Sequence, residues 1–558
     1  MNTVESPTTT AESLPPDGGG PAWLTRLDGF LERSSDWLNP ILVKEARQAL
    51  KSRQFLICFS LVLGLGWGWS LLGIAILSPG VYYNPGGPLM LSGYVVILSL
   101  PVLLMVPFVA FRSLAGEVED GTFELLSITA LNARQIVTGK LGSATLQMLV
   151  YFSALAPCVV FTYMLRGVDI FTTGSVLVYG LLASLLLAAV GLLFATLARS
   201  RMWQGFLSVG LVLLLLFVGW LLVTGAVVLI NEAQIPYQES GFWEFNAIGL
   251  LVYLSVIVLL VLATASQITF ASANRSTRIR IVLVVQQMLW IGFIVTLGLW
   301  TNVGSRTRFP PDWLQVACLF PGAYWAVMGM LLNAEQARLS PRVQRQLPQS
   351  FLGRTAFTWF NPGSVTGYVF CIANVITLIL VCIGVELVVR QTIGTSRRQS
   401  NDGIWTACLL LGYLALYLGL ARFLIVLVRR FIGDVGLLAA LLVQLAFGLL
   451  AAVVPTVIQV YVFDVSSYQP SWQVLNWGWT LAEAADHGLD HSNGPDVLTL
   501  AVVSALAFAV LLANLILAVP DASVVRVSLP ARIALDDAQG EPELPRTSGS
   551  PWDEPDTT

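Results

Sequence analysis

Between the second and third long apolar runs lies a polar stretch whose residue types could do chemistry. It carries Arg112, Glu117, Glu119, Asp120, Gly121, Thr122, Glu124, Arg134, Gly139 and Lys140. A Gly-Lys pair raises the question of a phosphate cradle. That cradle needs a glycine five residues before the second one and a hydroxyl after the lysine, whereas Arg134 and Leu141 occupy those places. ATP hydrolysis by that route is therefore excluded. Thr122 can instead cap a short helix whose first turn holds Glu124, favourable at the positive helix end. Phe123, Leu125, Leu126 and Ile128 would give that helix apolar surface outside a membrane. Such a surface suits the docking of a partner, the alternative being a solvated loop packed on its own bundle.

Other candidates are fewer. The only two histidines lie in Asp486-His487-Gly-Leu-Asp490-His491, close to Trp472, Trp477 and Trp479. The spacing could gather zinc ligands on one helix face. The favoured reading is a loop with tryptophans at headgroup depth, and no metal or cofactor is expected. Six cysteines (Cys58, Cys158, Cys318, Cys371, Cys382, Cys408) all fall inside apolar runs without a CxxC spacing, which fits packing rather than disulfides or metal. Gly64, Gly66 and Gly68 allow close helix approach. Gln286, Gln287 and Gln444 suit hydrogen bonds between helices. The apolar runs lack mid-bilayer Asp, Glu, Lys or His, which an ion-coupled pump needs along its path. Glu386 and Arg422 sit toward the ends of their runs, able to snorkel or to pair within a bundle.

The elements that must position these residues are membrane spans. Of 558 residues, 56% are hydrophobic and 11% charged, against about 25% charged in soluble domains, and the mean hydropathy is +0.75. Runs of about 20 apolar residues cross a ~30 Å hydrocarbon core as helices. The expectation is an all-α polytopic membrane protein with twelve spans, at 55–77, 89–111, 142–165, 173–198, 203–230, 246–272, 281–300, 312–333, 365–389, 404–428, 435–463 and 496–518. Residues 1–38 read as a disordered tail and an interfacial helix at 22–33. Residues 521–558 read as a disordered acidic tail. The first 20 residues lack the apolar core of a cleaved leader, so the first span is expected to direct insertion. After Pro40, Leu42, Val43, Ala46, Ala49 and Leu50 form an apolar stripe beside Lys44, Arg47 and Lys51, the pattern of a helix lying in the headgroup layer. Placing both termini in the cytoplasm leaves six arginines (Arg166, Arg306, Arg308, Arg390, Arg397 and Arg398) outside and the other 24 of the 30 Lys and Arg inside. A long cytoplasmic loop follows the second and the eighth spans, which suggests two six-span halves, 39–272 and 273–520.

Two stretches together resemble type-2 ABC exporter permeases. One is Glu117-x-Glu119-x-Gly121-Thr122-x-Glu124-Leu125-Leu126 followed by Gln135-Ile136-Val137-x-Gly139-Lys140. The other is Asn39-Pro40 through Lys44-Glu45-x-Arg47 to Lys51-Ser52-Arg53. The resemblance covers residues 39 to about 272. It implies an elbow helix carrying Lys44, Glu45, Arg47, Lys51 and Arg53. It also implies a coupling helix at about 117–126, with Glu117, Glu119, Gly121, Thr122, Phe123, Glu124, Leu125 and Leu126 docking a separate ABC ATPase subunit. The expected localisation is then a bacterial cytoplasmic (inner) membrane. The expected partners are the ATPase, the lipid bilayer, and a second copy of the chain or a further permease subunit, with no nucleic acid. The second half departs from the pattern, because the loop at 334–364 has no Gly-Thr-x-Glu motif. An ion-coupled secondary transporter and a non-transporting membrane scaffold or assembly factor are the competing readings. The substrate is not legible.

Overall fold

The computed structural model describes residues 39–78, 83, 85–119, 132–197, 201–231, 235, 237–270, 273–299, 313–335, 340–345, 347–348, 350–393, 402–433, 435–487 and 494–522. The stretch at 22–33, the loop at 120–131 and the tail beyond 522 lie outside them. Among the described residues every regular element is a helix, and twelve helices are long and apolar enough to cross a membrane. The chain divides into two compact units, residues 1–195 with 205–235, and residues 236–558 with 196–204. The packing therefore groups five spans with seven, where the sequence pattern suggested two sets of six.

The first unit opens with α1 (Pro40–Lys51), an amphipathic helix that is not itself a span. Asn39 caps it, its side chain accepting from the Ile41 N–H at 3.1 Å, and Pro40 takes the first-turn position that needs no donor. Ser52 is extended, which ends α1, and its hydroxyl accepts from Phe55 N–H at 3.1 Å to start α2 (Arg53–Leu77). One residue thus sets the bend between the amphipathic helix and the first span. The second span is built from α3 (Gly87–Ser99), a π-helical turn at Leu100–Met105, and α4 (Val106–Glu119). Pro101, in that turn, and Pro107, just after it, bring no N–H donors, and the freed Val102 carbonyl accepts a hydrogen bond from Ser184.

The third span, α5 (Ala133–Met164), packs against α1, α2, α3 and α4. It begins nine residues before the expected start at 142. The reason is local: Asn132 and Gln135 form a capping box, with the Gln135 side chain accepting from the Asn132 N–H at 2.9 Å. Gly139 and Lys140 are therefore helical residues of α5 rather than loop residues. α6 (Ile170–Leu197) and α7 (Arg201–Asn231) supply the fourth and fifth spans. Asn231 donates to Ser92 Oγ at 3.1 Å, tying α7 to α3.

The second unit contains α8 (Ser240–Ile268), α9 (Thr277–Leu299), α10 (Trp313–Asn333), the short α11 (Pro341–Arg345) and α12 (Phe351–Thr358), α13 (Ser364–Ile393), α14 (Asp402–Ile432) and α15 (Leu437–Val457). α15 continues in a π-helical turn, Ile458–Val462, beyond Pro455. Two short helices, α16 (Pro470–Gln473) and α17 (Trp477–His487), precede α18 (Val497–Ala522). The core gathers on α10, α13 and α14 around the fully buried Trp325, Tyr368 and Cys371. Buried amides tie its helices together. Gln287 donates to the Asn374 carbonyl at 3.0 Å and accepts from Trp325 at 2.7 Å, and Gln444 donates to the Met330 carbonyl at 2.8 Å. Gln286 accepts from Tyr324 and donates to Ser255 on α8 at 3.3 Å. All three glutamines make the interhelical bonds expected of them.

Candidate functional site

The base of the first unit is organised by Lys140. Its side chain is 1% exposed, yet its ammonium lies 3.0 Å from Glu45 Oε1 on α1 and 2.9 Å from Glu117 Oε1 on α4. It also donates to the Ser113 carbonyl at 3.3 Å. A lysine this far from water is tolerated only when its protons are all met. Its partners come from positions 95 and 23 residues away. One cation thus fastens the amphipathic helix, the end of the second span and the start of the third.

The seat of α1 on α5 is shaped by glycines. A Cβ at Gly139 would lie 2.9 Å from Ile41 Cβ, and one at Gly142 would lie 2.8 Å from Leu42 Cδ1. Glycine lets the two backbones approach closely enough for Glu45 to reach Lys140. Asn39 adds a bond from its amide to the Gln135 carbonyl. The Gly139-Lys140 pair, no phosphate cradle, is a seat and an anchor for α1.

The other sequence candidates are placed as follows. Lys44, Arg47 and Lys51 are exposed on α1, away from its buried Ile41 and Ala46. Arg53 is the exposed first residue of α2. Glu119 is the exposed last residue of α4. Of the expected docking residues, Gly121, Thr122, Phe123, Glu124, Leu125 and Leu126 lie outside the described residues. The structure thus brings Glu45 and Glu117 together, which the sequence had assigned to two separate elements, and joins them through Lys140.

The second unit has a hub of its own, which the sequence reading missed. Arg280, in the first turn of α9, is fully buried. It pairs with Glu335 Oε2 at 2.6 Å and donates to the Trp359 carbonyl at 2.6 Å, the Gly363 carbonyl at 3.1 Å and Thr366 Oγ1 at 3.1 Å. Glu335 also accepts from Ser276 at 2.7 Å and from the Gly363 N–H at 3.2 Å. Arg429 donates to the Glu335 carbonyl at 3.1 Å. The ends of α9, α10, α13 and α14 meet there. Deeper in this unit Arg422 is buried and donates to Asn514 on α18, and Glu386 is buried too, so neither reaches out to the membrane surface.

The loop between α15 and α18 folds over buried amides. Gln473 donates to Gln459 at 2.6 Å, and Asn476 donates to Gln473 and to Thr456, each at 2.7 Å. His487 shares a hydrogen bond with Glu483 at 3.0 Å, and Glu483 accepts from Trp479 at 3.0 Å. Asp490 and His491 lie outside the described residues. Among those described, no three His, Cys, Asp or Glu residues are grouped to hold a metal ion.

No protein-family model, curated protein or solved structure matches the chain.

Proposed function

We propose that the chain is the membrane-spanning permease subunit of an ATP-driven exporter that works with a separate ABC ATPase, with both termini in the cytoplasm. The observation that supports this reading is the Lys140 anchor. A permease driven from outside must receive a push on its cytoplasmic loops and deliver it to its spans. Here the loop at 120–131 is flanked by α4 and α5, and Lys140 joins those two helices to α1. A force on the loop would move the amphipathic helix and two spans together rather than bend the loop alone. The cations Lys44, Arg47 and Lys51 would lie toward headgroups, with Glu119 and Glu124 toward the ATPase. The resemblance of both segments to type-2 exporter permeases supports the same reading.

The test is purification of the tagged full chain in mild detergent, with identification of co-purifying chains and an ATPase assay. A stoichiometric ATPase, lost when Glu119→Lys and Glu124→Lys are combined, is the expected result. Absence of any ATPase, even after cross-linking in the membrane, would sink the reading and favour a membrane scaffold.

A further inference from the structure

A cavity of about 230 Å³ opens beneath α1 in the first unit. Its lining changes character along the helices. Toward the α1 end it is polar, with Glu45, Gln48, Ser52, Ser113, Lys140 and Ser143, and further along α4 and α5 come Met105, Val106 and Tyr151. The order follows from the geometry. α5 rises 1.5 Å per residue, so Lys140 and Tyr151 lie roughly 16 Å apart along it. The cavity is therefore amphiphilic, polar at the depth of the interfacial helix and apolar toward the hydrocarbon.

The charge left in this cavity is one-sided, although Gln48, Ser52 and Ser143 also keep neutral donors that meet no acceptor among the described residues. Lys140 has three protons, and Glu45, Glu117 and the Ser113 carbonyl meet them. Glu45 spends one oxygen on Lys140, and its other oxygen has no hydrogen bond among the described residues. Gln147 is 7% exposed and lines the cavity. Its amide nitrogen donates to the Ser143 carbonyl at 3.4 Å, and its amide oxygen has no donor among the described residues. Two lining residues therefore keep an open acceptor, one of them a carboxylate, while the one strong cation is already saturated and only neutral donors stand beside them.

We infer that this cavity receives the headgroup of a phospholipid that carries a primary ammonium, with the ammonium donating to Glu45, the phosphate meeting the neutral donors of Gln48 and Ser52, and the acyl chains remaining outside the cavity. An anionic headgroup would meet the Glu45 carboxylate with only the neutral donors of Gln48, Ser52 and Ser143 to offset the repulsion. A quaternary choline headgroup has the charge but no N–H for either acceptor. The site does not depend on the transport reading, since it concerns only the seat of α1.

The experiment uses the full chain in nanodiscs of three compositions: phosphatidylethanolamine, phosphatidylcholine or phosphatidylglycerol, each with identical acyl chains. Lipid retained after transfer to detergent is counted by native mass spectrometry. Retention of one ethanolamine lipid, roughly tenfold over the other two, is expected, the worth of one charge-assisted hydrogen bond. Glu45→Gln should reduce that preference. Because Glu45 also anchors α1, Gln147→Leu provides a second variant outside the anchor, which should weaken retention while Gln147→Glu restores it. Equal retention of all three lipids, preference for the glycerol lipid, retention of none, or a Gln147→Leu protein that binds as the wild type does would each overturn the assignment. Loss of ATPase co-purification would leave it untouched, so the two proposals fail separately.

Discussion

Replacing Lys140 with methionine should release α1 from the bundle. The substitution keeps the length of the stem and removes the charge. Each ammonium–carboxylate contact, at 3.0 and 2.9 Å, is worth about 5.5 kcal/mol at an effective dielectric near 20. Drying the lysine takes back several kcal/mol of that sum. Deleting the cation also leaves two carboxylates facing each other, although at 15% and 19% exposure they keep some water. The net loss is then about 3 kcal/mol, the low end for breaking a buried pair. That corresponds to roughly a hundredfold rise in the open population of α1. Ala46, on the seated face of α1 and 8% exposed, is the reporter. With Ala46→Cys as background, maleimide labelling should speed up about a hundredfold in Lys140→Met. The native cysteines contribute little, since five are buried and Cys408 is partly so. A triple variant, Glu45→Gln, Glu117→Gln and Lys140→Met, should recover most of the protection, because a neutral cluster has no stranded charge. A rise below about threefold, or a triple variant no better than the single, would refute the view that Lys140 holds the helix.

Three further outcomes follow from the same reasoning. Arg280→Lys should destabilise the second unit nearly as much as Arg280→Met, by about 3 kcal/mol in thermal melts, because an ammonium cannot reach Glu335, two carbonyls and Thr366 from one position. Gly139→Val should cost about 1–3 kcal/mol by overpacking against Ile41 and speed up labelling at Ala46→Cys, whereas Gly205→Val, with nothing within 4 Å of its Cβ position, should be much milder. Asp169 caps α6: burial pushes its carboxyl up, but hydrogen bonds from the Thr172 hydroxyl and N–H outweigh that and hold it below the usual range. A depressed carboxylate stabilises the fold above its unfolded range, near pH 4, and loses that contribution as pH falls through its folded value. Asp169→Asn should therefore flatten the acid limb of the melting curve below about pH 4 and leave neutral stability changed by at most about 1 kcal/mol.

Much of the fold was legible because a bilayer enforces a coarse rule. Each span must be long and apolar, and Arg53–Leu77 or Leu437–Val462 announces itself by that alone. The start of α5 was not legible from hydropathy, because Asn132 to Lys140 is polar. The capping box that begins the helix there is a local hydrogen-bond signal that apolar content does not register. Glu45 and Glu117 were visible as acidic residues on an elbow and in a loop. Their meeting at Lys140 depends on glycine-mediated contact between segments nearly a hundred residues apart, which no spacing encodes. The Gly139-Lys140 pair drew attention for a motif it does not complete. Its actual work lies in two properties a motif search passes over, a missing Cβ and a buried charge.

Both hubs also place charges where local rules disfavour them, which tells what they are for. Arg280 stands in the first turn of α9, an end that repels cations, and Lys140 stands buried about two turns into α5, where no helix end favours it. Glu117 and Glu335 stand at or just past the last turns of α4 and α10, ends that repel anions. None of the four stabilises its own helix. Each is tolerated because its opposite charge is brought within hydrogen-bond range by the tertiary fold, at 2.9 Å in one unit and 2.6 Å in the other. A sequence that needed only to span the membrane would avoid all four and lose nothing in helix formation. Their presence means that the ends of neighbouring spans must be held together, and held by bonds that vanish if one end moves a few ångströms. Apolar packing along the spans would resist such motion gradually, whereas these ion pairs make the joint at each helix end discrete. That is the property expected of a joint through which a displacement applied at a loop reaches the membrane without being absorbed on the way.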